Sequence, residues 1–386
     1  MRWLVITPYF PPALGGACRM LGGVADALAA EGDAVDVLTF GAPLYENFED
    51  YDAASGANVS RVPAHEQTLR TIAAMARRLA TLLRRNRYDL VFCGVAYSCG
   101  VLAYLAHSMR RVPYVIYSHG EDVTVVEASG WKGRVLKRSL RNAAHVFANS
   151  AFTRDALLRA GAPPERVEIL YPSIEPEPYL RATDERAKQF LQSIGLEHSG
   201  TNLLLTVARL QERKGHDIVI RALPAIAQEV PDVHYLIVGI GDAARLTELA
   251  RSLDVGSRVT MVNSLGEDAL ADAYRAATVY VMVSRTDETR EVEGFGMAYL
   301  EAGAAGRPSV SGDQGGAPEA VVDGLTGLVV DATSAKDTAD ALISLLIDSH
   351  RRDAMGRAAR ARVIDKFSDQ FFFDRITTVC REQAGR

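Results

Sequence analysis

The sequence predicts an α/β protein of two domains, each a parallel β-sheet covered by helices on both faces. Three observations carry this expectation. Short apolar runs recur along the chain with helix-patterned segments between them, and a strand covered on both faces reads as such a run instead of alternating. The series halts at Ile174-Glu-Pro-Glu-Pro-Tyr-Leu180 and restarts beyond it; proline interrupts helix and strand ladders alike. The length of 386 residues fills two domains of ordinary size, each with its own core.

In the first series the runs at 3–6, 35–39, 90–93, 114–117, 146–148 and 167–170 are expected strands, the last ending near Tyr171-Pro172. The uncharged stretch 90–106, 17 residues long, contains Gly94, Ser98 and Gly100. It is shorter than a usual membrane span and suits a buried strand leading into a helix. The second series places strands at 203–207, 234–238, 259–262, 279–283 and 309–310. The tail is helical over 335–347 and 352–365, and Phe367 with Phe371-Phe-Phe373 follows. Four phenyl rings left in water near a chain end would be costly, so the tail is expected to dock, returning to the first domain. The expected boundaries are 1–178, 199–365 and a tail of 366–386.

Apolar residues make up 48% and charged residues 24%, with a net charge of -5, a folded soluble composition that gives no general attraction to nucleic acid. Charge is uneven, however: from Arg70 to Arg141 there are 13 Lys or Arg against 4 Asp or Glu. Cys18, Cys93, Cys99 and Cys380 lack the paired spacing of a zinc site and are too few for a disulfide scaffold. The apolar run before Thr7-Pro8 is too short for an export signal, so a cytoplasmic setting is expected.

Four groups of residues carry the functional expectation. Gly15 and Gly16 follow the first strand; a glycine turn there lets the backbone approach a phosphate at a helix amino end, although a plain turn explains it as well. It is no Gly-x-Gly-x-x-Gly fingerprint and gives no warrant for NAD. Arg209 and Lys214 stand just past the 203–207 strand, where two cations can hold phosphate oxygens. Glu293-Gly-Phe-Gly-Met-Ala-Tyr-Leu-Glu301 sets one carboxylate before a glycine turn and another within the following helix. The amides of Phe295, Gly296 and Met297 would face out of its first turn. Gly315-Gly-Ala-Pro-Glu319 opens a further helix. His119, in His119-Gly-Glu-Asp122, stands at a strand's carboxyl end and can bond a sugar hydroxyl; Glu121 and Asp122 either orient it or cap the next segment.

At these residues the chain resembles the retaining glycosyltransferases of family 4, with the GT-B architecture of two Rossmann-like domains facing across a cleft. Gly15-Gly16, His119, Arg209 with Lys214, and Glu293 to Glu301 stand in that family's order, and Asn149-Ser-Ala-Phe-Thr153 and Gly315-Gly-Ala-Pro-Glu319 match its wording. The resemblance implies that Arg209 and Lys214 hold the nucleotide diphosphate and Glu301 the ribose. It places Glu293 and the backbone of 295–297 at the donor sugar, with His119 near that sugar and the acceptor. It implies a nucleotide-sugar donor and no metal.

Val292 to Gly296 and Gly315 to Pro318 resemble the bacterial phosphatidylinositol mannoside mannosyltransferases, which use GDP-mannose. The chain departs from them at His119-Gly-Glu-Asp122 and in the highly charged 285–293 loop. The expected function is retaining transfer of a hexose, with mannose from GDP-mannose or a UDP-hexose as donor, to an acceptor hydroxyl on a glycolipid or small molecule. The alternatives are a UDP-sugar transferase with a small-molecule or polysaccharide acceptor, a phosphorylase or epimerase, and a noncatalytic sugar-nucleotide-binding protein. Arg77, Arg78, Arg84 and Arg85, with Lys132, Arg134, Lys137, Arg138 and Arg141, make a candidate contact with the anionic inner face of the cell membrane. An ordinary helix packed by Leu79, Leu82 and Leu83 accounts for the first group equally well.

Overall fold

A computed structural model describes residues 1–8, 10–13, 15–30, 32–41, 48–63, 69–127, 130–196 and 202–385. Leu14 of the first glycine loop, the expected start of the second domain at 199 and the terminal Arg386 lie outside the described residues. The chain forms two compact units, Met1–Ser173 with Asp369–Arg386, and Ile174–Ser368.

The first unit carries strands β1 (Arg2–Ile6), β2 (Ala34–Gly41), β3 (Asn58–Pro63), β4 (Leu90–Cys93), β5 (Tyr114–Ser118), β6 (His145–Ala148) and β7 (Val167–Ile169). Between them run helices α1 (Gly16–Ala30), α2 (Phe48–Ala54), α3 (Leu69–Arg85), α4 (Ser98–Arg110), α5 (Glu121–Glu127), α6 (Gly130–Asn142) and α7 (Ala151–Ala160). The seven strands pair in the order β3-β2-β1-β4-β5-β6-β7, every pair parallel. β4 and β5 are buried along their whole length, as apolar runs between two helical layers must be. β3 is missing from the sequence expectation because it lies at the sheet edge and alternates inward and outward, Asn-Val-Ser-Arg-Val-Pro, so it has no continuous apolar run.

The second unit holds α8 (Glu177–Arg181), α9 (Asp184–Ser193), β8 (Asn202–Val207), α10 (His216–Glu229), β9 (Val233–Val238), α11 (Ala244–Ser252), β10 (Val259–Val262) and α12 (Glu267–Ala276). It continues with β11 (Val279–Met282), α13 (Met297–Ala304), β12 (Ser309–Gly312), α14 (Ala317–Ala320), β13 (Gly327–Val330), α15 (Ala335–Ile347) and α16 (Ser349–Lys366). Its parallel strands run β10-β9-β8-β11-β12-β13, the same winding as the first sheet. The unit begins at Ile174 because that residue and Tyr179, both buried, join the core formed by Leu205, Tyr274 and Phe295; the proline-rich segment is thus its first layer. β13, again at a sheet edge, escaped the sequence expectation.

The last helix, α17 (Asp369–Ala384), belongs to the first unit. Phe372 is buried and meets Tyr117 edge-on at 5.5 Å between ring centroids. Phe373 packs on Gly23 of α1, where a Cβ would stand 2.4 Å from its ring. Arg375 donates two 2.7 Å bonds to Glu168, and Arg381 reaches Asp33 at 2.7 Å. The aromatic cluster does not act as a block: Phe371 is 63% exposed, and Phe367 stays in the second unit beside Phe295. Helical periodicity separates the three consecutive rings onto different faces.

Candidate functional site

In both sheets the winding reverses beside the first strand of the unit, between β1 and β4 and between β8 and β11. At such a reversal the following loops diverge to opposite faces and leave a crevice at the strand carboxyl ends, the usual ligand position in open α/β sheets. Every candidate except Glu301 lies in a loop at a strand carboxyl end or at the start of the helix after it. Glu301 sits in the second turn of α13.

At the second reversal, the turn after β8 delivers Arg209 and Lys214, and the loop after β11 delivers Glu293. Lys214 Nζ donates to Glu293 Oε2, a contact between residues 79 apart in sequence. Only 12% of the Lys214 side chain and 14% of the Glu293 side chain are exposed. Arg213, also buried, lies 3.3 Å from Glu291 and 3.9 Å from Glu293. Arg209 is exposed, and its guanidinium pairs with no carboxylate among the described residues. Its main-chain oxygen is held by His216 Nε2 at 3.1 Å, and burial, foremost, pushes the His216 imidazole down to about 4, so it remains a neutral brace at physiological pH.

Burial alone would raise the Glu293 carboxyl, but Lys214, Arg213 and Arg209 together hold it below the usual carboxylate range. Burial, foremost, lowers Lys214; the Glu293 carboxylate opposes this, and Arg213 and Arg209 add to it. Lys214 pairs directly with Glu293, Arg213 stands between Glu291 and Glu293, and the exposed Arg209 adds its charge to their surroundings, a positive excess suited to a polyanion.

The backbone around Glu293 is fixed from two sides. Gly316 N donates to the Glu293 carbonyl at 2.8 Å, and Gly315, at φ +67°, approaches so closely that a Cβ would stand 2.3 Å from that oxygen. Gly296 has φ +95° and the Tyr299 ring lies where its side chain would be, 2.5 Å from an ideal Cβ. The Tyr299 hydroxyl donates to the Met282 carbonyl at the end of β11, pinning α13 to that strand. Phe295 turns its ring into the core, leaving its backbone with that of Gly296 and Met297 at the helix entrance. Glu301 is 5% exposed and accepts a 2.7 Å bond from the Tyr274 hydroxyl. Tyr280, whose hydroxyl is raised mainly by burial, feels both Glu301 and Glu293.

At the first reversal, Gly15 adopts φ +130° with open space where a side chain would be, and Gly16 begins α1. His119 follows β5. Asp122 organises its loop: Oδ1 accepts from Ser118 Oγ at 2.9 Å, His119 N at 3.1 Å and Gly120 N at 2.9 Å. Its Oδ2 accepts from Ala96 N at 2.5 Å, tying the loops after β4 and β5 together. Of the two roles left open for Asp122, the geometry is that of a loop clamp that fixes His119 through its backbone. Asn149 Nδ2 donates to the His119 carbonyl at 3.2 Å. Burial, foremost, lowers the His119 imidazole, against Asp122, Glu121 and the Gly94 carbonyl; its Nε2 is buried without a hydrogen-bond partner among the described residues.

The supports Arg213, Tyr274 and His216 were not singled out from the sequence. Nothing local marks a buried arginine or histidine as distinct from a surface one; the double-cation run Arg213-Lys214 was the only signal. Among the described residues no group of three or more His, Cys, Asp or Glu is placed to hold a metal ion, and no helix is long and apolar enough to cross a membrane.

Comparison with known proteins supplies the family and the fold. Residues 188–362 match the family model described as glycosyl transferases group 1, and residues 15–173 match a glycosyl transferase 4-like domain. The chain is 33% identical over 372 residues to the GDP-mannose-dependent alpha-(1-6)-phosphatidylinositol monomannoside mannosyltransferase of Mycolicibacterium smegmatis, covering 94% of each protein. It is 29% identical over 389 residues to the monoacylated-substrate counterpart in Corynebacterium glutamicum, covering 99% of this chain and 98% of that one. Among solved structures, Anabaena Alr3699/HepE in complex with UDP and glucose superposes with a TM-score of 0.83 at 21% identity, over 99% of this chain and 100% of that one.

Proposed function

The chain belongs to glycosyltransferase family 4, with its GT-B fold, and from that premise we propose that it transfers mannose from GDP-mannose, with retention, to a hydroxyl of a phosphatidylinositol-based glycolipid. Transfer from a nucleotide sugar follows from the family; the donor and acceptor rest on the likeness to the mycobacterial and corynebacterial mannosyltransferases along nearly their full length.

The observation that carries the mechanism is the buried Lys214–Glu293 pair. Breaking the bond between the anomeric carbon and the diphosphate oxygen leaves negative charge on the departing phosphate. Lys214, fixed in advance by Glu293, and Arg209, whose backbone is held at the end of β8, stabilise that charge as it grows. We assign Glu301 to the ribose, the backbone of 295–297 and the loop at Gly15 and Gly16 to the diphosphate and sugar, and His119 to the sugar and acceptor hydroxyls.

Retention needs either a covalent sugar on the enzyme or attack from the face the phosphate leaves. Glu293 is tied by its cations into a stabilised carboxylate, which makes it a poor nucleophile. The reading is therefore same-face transfer: the acceptor oxygen bonds to the anomeric carbon as the carbon–phosphate oxygen bond breaks, and the acceptor proton passes to the departing oxygen. Trapping of a glycosyl adduct on Glu293, seen by mass analysis of the intact protein, contradicts it.

Mass analysis of products from GDP- and UDP-sugars, each with lipid and polar extracts, tests the whole assignment. A mannosylated lipid formed from GDP-mannose supports it; transfer only from UDP-sugars or only to polar acceptors overturns the donor or the acceptor. For access to a lipid substrate we assign the basic face of the first unit to an anionic membrane surface. Arg77, Arg78, Arg84 and Arg85 are exposed on α3 while Leu79, Leu82 and Leu83 are spent on the core; α6 adds exposed Lys132, Arg134, Lys137, Arg138 and Arg141 behind the half-exposed Trp131. Flotation with anionic but not neutral vesicles is expected, and equal absence from both contradicts membrane attachment.

A further inference from the structure

Three charged residues of the loop between β11 and Glu293 are engaged within the unit. Asp287 Oδ1 closes the loop on itself, accepting from Thr289 N at 2.9 Å, Thr289 Oγ1 at 2.6 Å and Glu291 N at 3.0 Å. Glu291 faces buried Arg213. Arg285, only 12% exposed, reaches back to the turn after β8. Its backbone N–H donates to the Arg213 carbonyl at 2.8 Å. Its guanidinium donates to both oxygens of Asp217, at 3.0 and 3.1 Å, and to Glu212 at 3.2 Å. Asp217 lies in the first turn of α10, directly after the Glu212–Lys214 turn, so one side chain grips both ends of the segment that presents Lys214.

We propose that Arg285 is a positioning residue of the donor site, clamping the turn that carries Lys214 against the loop that carries Glu293 and so setting the spacing between cation and carboxylate. The inference rests on the donor-site assignment made above. A planar fork on a carboxylate, with 14% of Asp217 exposed, fixes direction as well as distance, which a lysine ammonium does not. The exposed arm to Glu212, 57% exposed, contributes little by comparison. Without the clamp the Lys214 turn keeps its backbone conformation and loses its register with the β11 loop, and sub-ångström placement is what a preorganised electrostatic site depends on.

The test measures transfer rate, donor KM and calorimetric affinity for GDP and UDP in Arg285→Gln, Arg285→Lys, Asp217→Asn and Lys214→Ala, with Arg245→Ala, a surface partner of Glu212, as control. Arg285→Gln is expected to lower kcat about ten- to hundred-fold and weaken diphosphate binding about ten-fold. Arg285→Lys should fall between it and wild type, Asp217→Asn should match it, and Arg245→Ala should leave both unchanged. Should Arg285→Gln not fold, the lysine and asparagine variants carry the same comparison. In a Lys214→Ala background, Arg285→Gln should cost no further diphosphate affinity; an independent, multiplicative loss shows action elsewhere and overturns the clamp. Wild-type rate and affinity in folded Arg285→Gln, with Lys214→Ala impaired, also overturns it. Unimpaired Lys214→Ala instead removes the donor-site assignment on which the clamp rests.

Discussion

The two units wind their sheets alike, yet the loops at their strand carboxyl ends are built from opposite materials. In the first, Asp122 and Asn149 bind the backbone around His119, and the Asp122 charge is consumed in clamping loops. In the second, Lys214 and Arg213 contact Glu293, Arg209 helps hold its carboxyl below the usual range, and the loop glycines serve to bring its backbone close. A polyanionic leaving group needs fixed charge that does not reorganise, whereas a hydroxyl needs hydrogen-bond partners and a near-neutral surrounding. Under the proposed reading, the charge that stabilises the leaving diphosphate comes from the second unit, and His119 of the first meets hydroxyls.

The comparison breaks most decisively at Lys214. Lys214→Ala removes a preorganised cation and leaves Glu293 without its direct partner; the transfer rate should fall about hundred- to thousand-fold, with affinity for GDP or UDP reduced in parallel. Unaltered initial rates from folded protein would place the charge chemistry elsewhere. Glu293→Gln sharpens the division of labour within the second unit: transfer should drop about hundred-fold, while the plain nucleoside diphosphate binds as well as before or better, because three cations lose their internal counter-charge. Weakened diphosphate binding in that variant would contradict the arrangement.

In the first unit, His119→Ala should slow transfer about ten-fold through a lost hydrogen bond and leave GDP and UDP affinity untouched by calorimetry. A loss of diphosphate affinity there would dissolve the distinction between units. Smaller still, Glu301→Ala should raise donor KM about ten-fold, and Tyr274→Phe, which removes only the supporting hydroxyl, a few-fold; steady-state kinetics over a donor series reads both.

Last comes the docking of α17, where pH gives a direct handle. Burial, foremost, lowers the His145 imidazole from its ordinary 6.5, and Glu168, raised by burial but held down more strongly by Arg375 and His145, sits below its ordinary 4.5. Both groups bind protons more tightly when unfolded, so their stabilisation is complete above pH about 6.5 and is lost as pH falls through 6.5 and then through the carboxylate range. Amide protection in α17, relative to the intrinsic exchange rate at each pH, should fall over that window, and Arg375→Gln should flatten the carboxylate part. A profile independent of pH between 7 and 4 would rule the contribution out.

Much of this was legible in the chain. Buried parallel strands announced themselves as apolar runs, and β3 and β13 were missed, β3 because at the sheet edge it alternates in polarity. The glycines at 15, 296 and 315 marked backbone that must adopt positive φ, and the paired Glu293 and Glu301, with the order of the other motifs, carried the family resemblance. The second layer of the site was not legible. Arg213, Arg285 and Asp217 look like surface charges in sequence, because the cue that separates a buried ion pair from a solvated one is the partner, and each partner lies in another loop. Within the highly charged loop before Glu293, Arg285, Asp287 and Glu291 meet Asp217, the loop backbone and Arg213.

What the sequence by itself determined was local: where strands are buried, where backbone must turn through left-handed conformations, and which residue types stand at strand ends. What tertiary structure decided was adjacency. β11 pairs with β8, although β9 and β10 lie between them in the chain, and that insertion sets Glu293 against Lys214 and Arg285 against Asp217. Electrostatic energy falls with distance in space and not along the chain, so charges scattered through the sequence became one site only when the sheet order brought their strand ends together.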